Sequence, residues 1–361
     1  MKTTIAVVIS SILAVSSADA SELYNKDGNK IDLYGKVDAR HTFTDTKERD
    51  GDTTYVRLGF KGETQFNENI TGYGQWEYNI EANKAEQAQT STATRLAYAG
   101  VKLGKLGSLD YGRNNGIIYD VESYTDVTPV FGGDSYSTAD NFMTGRSNGL
   151  ATYRNSDFFG FVNGFAFAIQ YQGANGNKGE NTHRSNIFSQ NGEGWGSSVA
   201  YSLPSGFSYV AAYSNSHRTG EQRTKTTNDA RHAETYAIGL KYDENNIYLA
   251  TNYADTKNTT AVSGKKKEVT DRTKNFEVVA QYQFDTGIRP SVAFLQSKAE
   301  KNGHNFNQVK YIEAGVSFYF NKNMSIYGDY KINLLNSNDY AVKELGGASD
   351  DIIGMGAVYQ F

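Results

Sequence analysis

Lys36 and Arg57 stand where a charged side chain can act on water and ions. Ile31, Leu33 and Val37 share one face of an alternating segment and Lys36 falls on the other; Arg57 is likewise opposite Val56, Leu58 and Phe60. Fixed charge beside confined water creates a field that acts on passing ions and dipoles, with no bond made or broken. Groups suited to other chemistry are not arranged for it. His41, His183, His217, His232 and His304 lie in separate segments, with no pair at metal-ligand spacing. With Cys 0 there is neither thiolate chemistry nor a disulfide scaffold. A hydrolytic set needs its nucleophile and base as neighbours, and no motif marks one. No glycine loop leads from a strand into a helix to cradle a phosphate. Lys265-Lys-Lys267 could meet lipopolysaccharide phosphates, although an exposed charge run is more often solvated loop. The chain reads as a non-enzyme with no catalytic residue, metal or cofactor.

The elements that would position these charges are strands. Ile353, Met355, Ala357, Tyr359 and Phe361 share one face of the closing segment, and Gly354, Gly356, Val358 and Gln360 the other. Termini usually fray, but the last strand of a membrane barrel must pair with the first to leave no edge in lipid. The period-two pattern recurs through Phe165–Tyr171, Phe207–Tyr213, Tyr236–Tyr242, Phe276–Phe284 and Tyr311–Phe320, with aromatics at the ends of the apolar face. Tyr 26 against Trp 2 suits rings that sit in lipid while their hydroxyls reach water. Short turns carry Gly, Asn or Asp at Asn67–Asn69, Gly104–Gly107, Leu203–Gly206, Asp243–Asn246, Asp285–Gly287 and Asn321–Asn323. Between them lie long polar stretches at Thr44–Thr53, Ala82–Thr92, Ser214–Ala233, Asp255–Asn275, Ser297–Gln308 and Leu335–Asp350. The pattern predicts an all-β fold: one transmembrane antiparallel β-barrel of about sixteen strands, too wide to fill with side chains.

Met1-Lys2, the apolar run to Ser17 and Ala18-Asp-Ala20 read as a cleaved export signal over residues 1–20, leaving the barrel at 21–361. No later apolar run approaches the length of a spanning helix. A net charge of -4 over 361 residues implies no nucleic-acid partner. One connection departs from the rule: between Gly112 and Arg146 lie Ile117, Ile118, Val121, Val127, Pro129, Val130, Phe131, Phe142 and Met143. A loop that apolar either packs on a neighbouring subunit or folds into the lumen over 114–145 and narrows it; the second is favoured, since barrel-top loops commonly build sites.

Several strings resemble the general diffusion porins of enterobacterial outer membranes: Tyr24–Lys36, Arg57–Thr64, Gly72–Tyr78, Asp110–Arg113, Phe131–Asp134, Ala151–Asn155, Tyr319–Met324 and Tyr359–Phe361. The resemblance covers essentially the whole mature chain. It implies a homotrimer in outer-membrane lipid, including lipopolysaccharide, whose third external loop folds inward. It also implies a passive channel for small hydrophilic solutes and ions; a substrate-specific channel is the alternative, although the inward Tyr34, Tyr55 and Tyr73 do not clearly form a slide. By resemblance, Lys36, Arg57, Arg95 and Arg146 form the basic wall of the constriction, and Asp126, Asp134 and, earlier in the loop, Glu122 its acidic wall. Glu313 and Asp329 match loop-anchoring positions, where two neighbouring carboxyls would share a proton, and Glu86 matches a latch onto the adjacent subunit. The departure is Pro129-Val130-Phe131, where the family has Glu between Pro and Phe. Losing that charge implies weak cation selectivity.

Overall fold

The computed structural model describes residues 21–88, 92–177, 182–226, 229–262, 264 and 268–361. The export signal and Lys265–Lys267 lie outside these. Eighteen strand segments form one antiparallel sheet that closes on itself. They fill sixteen places, because two places each take two segments. Ser21–Lys26 pairs with the first part of Asn29–Phe43, from Ser21 opposite Leu33 to Lys26 opposite Asn29. Ile352–Gln360 takes the rest of the same edge, with Gln360 opposite Lys36. Phe361 exchanges backbone hydrogen bonds of 2.9 and 3.0 Å with Gly35. Ser21–Lys26 and Ile352–Gln360 therefore share one place in the wall and leave no edge there. Gly51–Asp52 similarly extends the place of Tyr55–Asn67.

Alternation sorts the two faces as the side chains require. Along His232–Glu244, Tyr236, Ile238 and Leu240 are exposed outward while Ala233, Thr235 and Ala237 are buried inward. Tyr236 meets Tyr213 at 4.6 Å near one end of the apolar band, and Tyr242 meets Phe207 at 4.8 Å near the other. In hydrocarbon each such outward side chain gains about 1.5–3 kcal/mol over water. Among the described residues no helix is long and apolar enough to cross a membrane; the crossing elements are strands.

Ser297–Gln308 is a correction. Strands Ile288–Lys301 and His304–Tyr319 run straight through it and meet at Asn302-Gly303, where φ is 49° and 79°. The left-handed turn suits Asn-Gly. The stretch reads as loop because its outward face carries polar residues rather than the aromatics of the lipid band. Its inner side is packed all the same, with Ala299 and Phe306 against Val262, Ala341 and Leu345.

Residues 116–145 connect strands Ser108–Asn115 and Arg146–Asn155 and lie against the inner face of the wall. Ile117, Ile118, Val121, Tyr124, Tyr136 and Met143 are buried on inward residues such as Ala237, Ala250, Val279 and Leu295. Small inward alanines make the space this apolar segment fills. One helical turn, Tyr119–Glu122, sits at its start.

Candidate functional site

The basic set is built on adjacent strands. Lys36 and Arg57 are register partners, and both stack on the ring of Tyr55, at 5.1 and 5.4 Å. Arg40 approaches the same ring at 5.5 Å. Arg95 arrives by a different device. The pairing of Ile70–Glu81 with Thr92–Leu103 slips between Glu77 and Tyr78, opposite Leu96 and Thr94. Arg95 is the extra residue of that bulge, which re-aims its side chain. Its Nε lies 2.5 Å from Glu77 Oε1, and Arg57 Nε is 3.7 Å from the same oxygen. Arg146 opens the strand after the loop, and no carboxylate is within ion-pair distance of it among the described residues. Its guanidinium is close enough to Arg57 and Arg95 to be repelled by both. The resemblance-matched cations thus form one cluster.

Asp38 and Glu77 belong to that cluster and are absent from the sequence reading. Asp38 is buried, pairs with Lys36 at 3.3 Å and accepts a 2.6 Å bond from Tyr327. Glu77 also accepts from Tyr34 at 3.2 Å. Alternation against Val37 and Trp76 places both inward; what it cannot show is which cations they meet.

On the loop, Asp126 accepts a 2.6 Å bond from the Tyr119 hydroxyl. Arg146 interacts electrostatically with Tyr119, so the two sides approach one another there. Gly132 and Gly133 have φ of 94° and 59°, and a Cβ on Gly133 would come within 2.8 Å of the Asp126 carboxyl group. The glycines of Phe131-Gly-Gly-Asp134 therefore let the tip curl against Asp126. Asp134 is exposed and accepts 2.8 Å from Tyr311. Val130 packs against Gly354 of the closing strand, and its amide donates 3.1 Å to Asp329.

Glu122 is a correction: it is 0% exposed and cannot line a water-filled gap. The helical turn points it at the wall, where Asn252 Nδ2 donates to it at 3.2 Å and Glu277 lies beside it. Burial, reinforced by Glu277, lifts its carboxyl well above the usual range. Asp120 also faces the wall, in a bidentate pair with Arg154 at 2.8 Å on both bonds, plus 2.6 Å from Ser198. Glu277 accepts 2.6 Å from Thr125 and 3.3 Å from the Ser135 amide. Glu313 and Asp329 lie together behind the loop, with Thr128 donating to Glu313 at 3.3 Å. Further along, Asp140 holds Arg113 at 2.7 Å and Arg184 at 2.9 Å. Burial alone would raise the Asp140 carboxyl, but these two guanidinium groups hold it below its ordinary value.

Other residues stay apart. Glu86 is exposed at the start of a short helical turn, Glu86–Ala88. His217 and His232, separate in sequence, pair across strands with ring centroids 4.4 Å apart. No group of three or more His, Cys, Asp or Glu among the described residues could hold a metal.

Comparison with known proteins agrees along the chain. A family model described as Gram-negative porin matches residues 26–361. Outer membrane porin N of Escherichia coli K12 is 52% identical over 373 residues, covering 99% of each chain. Outer membrane porin C of Enterobacter cloacae is 53% identical over 364 residues, again 99% of each. The solved structure of Salmonella typhi OmpF in complex with daunomycin superposes with a TM-score of 0.87 at 49% identity, over 94% of this chain and 100% of that one.

Proposed function

The chain belongs to the Gram-negative porins of the outer membrane, channels rather than enzymes, and on that premise we propose that its barrel is a passive, water-filled path for small hydrophilic solutes and ions, weakly selective for cations. The observation that supports this reading is the loop laid on the inner wall, where Tyr119, hydrogen-bonded to Asp126, faces Arg146 of the basic cluster. Opposed charges across a narrow aqueous gap set up a transverse field, focused by low-dielectric walls. Such a field orders water and sorts solutes by charge and dipole without binding them tightly. The inward tyrosines support passive flow: Tyr55 lies under three cations, and the Tyr34 hydroxyl accepts from Gln75 at 2.6 Å while donating to Glu77. They are not a free slide for a sugar.

Val130 removes a carboxylate from the loop tip and weakens the field on that side. Behind the tip, Glu313 and Asp329 anchor the loop, and two carboxyls in contact are stable with one proton between them. Glu86 reaches the neighbouring barrel in a homotrimer embedded in lipopolysaccharide-containing lipid. Purified protein in a planar bilayer tests the reading. Conductance in groups of three equal steps and non-saturating sugar flux are expected; saturating flux would favour a dedicated substrate channel.

A further inference from the structure

Lys331 is a cation on the side of the lumen that carries the acidic loop. It projects inward from strand Met324–Asn333 and stands directly opposite Glu313 in register. Its ammonium does not turn to that carboxylate. It reaches across to the loop, 3.4 Å from Asp134 Oδ2, and lies 3.6 Å from the Tyr311 ring centroid and 5.5 Å from that of Phe131. The side chain is only 13% exposed, against 46% for Asp134. A cation held against two rings, with its carboxylate already taking a bond from Tyr311, is fixed rather than waving in solvent.

We propose that Lys331 is a selectivity-determining residue: it offsets Asp134 and, with Val130 uncharged, leaves Asp126 the one water-facing loop carboxylate without a cation of its own among the described residues. The other loop-side acids do not face the gap. Glu122, Glu277, Glu313 and Asp329 are all shut behind the loop, and Asp120 is committed to Arg154. Across the lumen, Lys36, Arg40, Arg57, Arg95 and Arg146 outnumber Asp38 and Glu77. Asymmetry of that kind holds the cation preference to a weak one, and Lys331 has the same effect on the wall that would otherwise favour cations more strongly. A partly buried charge is poorly screened by salt, so its effect reaches ions that never touch it.

This rests on the channel reading, and one experiment separates the two. Reversal potentials are measured across a potassium chloride gradient for the parent, Lys331→Met, Lys331→Glu and Lys331→Arg. Removing the charge should raise the potassium-to-chloride permeability ratio about twofold, and Lys331→Glu should raise it further. Lys331→Arg should match the parent, and Asp134→Asn should move the ratio the other way. If Lys331 merely props the loop, the methionine variant will change sugar size cutoff while leaving the ratio alone, which overturns the proposal. Conducting Met and Glu variants with the parental ratio overturn it as well. Absence of conductance in the parent would instead overturn the channel reading itself.

Discussion

The two sides of the lumen are built by opposite strategies. From Asn29 to Leu103 the wall carries its own charges: cations project from paired strands, three of them stack on Tyr55, and the buried Asp38 and Glu77 pair with them. Around the strands facing the loop, small and apolar inward residues receive the loop, and Glu277, Glu313 and Asp329 are sealed beneath it. The first side is rigid because each charge grows from the sheet. The second is only as well placed as the contacts fastening the loop, so its charges depend on packing. The field between them therefore has one fixed pole and one that can be displaced.

The largest effect should come from breaking the fastening. Val121→Asp would place an unpaired carboxylate where exposure is 0%, costing about 3–5 kcal/mol of loop docking. Swelling of liposomes in larger sugars should rise sharply while the barrel keeps its strand spectrum by circular dichroism. Thr125→Val removes the 2.6 Å bond to Glu277 and the 2.6 Å bond from Asn252, a loss of about 1–3 kcal/mol; the same swelling assay should shift, by less.

Rising pH tests the loop side without mutation. In the docked loop the Glu122 carboxyl is raised by burial and by Glu277, with Tyr136 and Asp126 also facing it. A raised carboxyl stabilises docking fully below the ordinary carboxylate range, and that contribution is lost as pH climbs toward the raised value. Open-channel current noise should grow as pH climbs above the ordinary carboxylate range, and Glu122→Gln should flatten the dependence. Noise falling with rising pH would contradict the burial argument.

The smallest effects concern the poles themselves. Glu77→Gln adds one net positive charge to the basic side, and Val130→Glu adds one negative charge to the loop. A unit charge about 8 Å from an ion in water contributes about 0.5 kcal/mol. Each variant should thus move the permeability of each ion about twofold and in opposite directions for potassium and chloride, lowering their ratio for Glu77→Gln and raising it for Val130→Glu. Equal ratios in both would mean that the field is set elsewhere.

Much of the barrel was legible because lipid imposes strict alternation: Tyr236–Tyr242 and Ile353–Phe361 can be read without a partner. The hairpin at Asn302-Gly303 was not, since strands beyond the lipid band carry polar residues on their outer face and resemble loops. Lys36 and Arg57 were legible from phase. Arg95 was placed only by resemblance, because a bulge breaks the local alternation. Glu122 was misread because a helical turn decides its direction, and no pattern of four residues shows which side meets the wall.

What the chain determined by itself is a closed cylinder with an oily outside and a wet inside, since every two-residue step commits a side chain to one solvent or the other. Tertiary structure decided which charges meet: Arg95 with Glu77, Asp120 with Arg154, Lys331 with Asp134. Those partners come from different strands or from the loop, and their distances depend on register and docking rather than on local sequence. Charge interactions fall off over a few ångströms in water, so it is that placement, not composition, that sets the field in the pore.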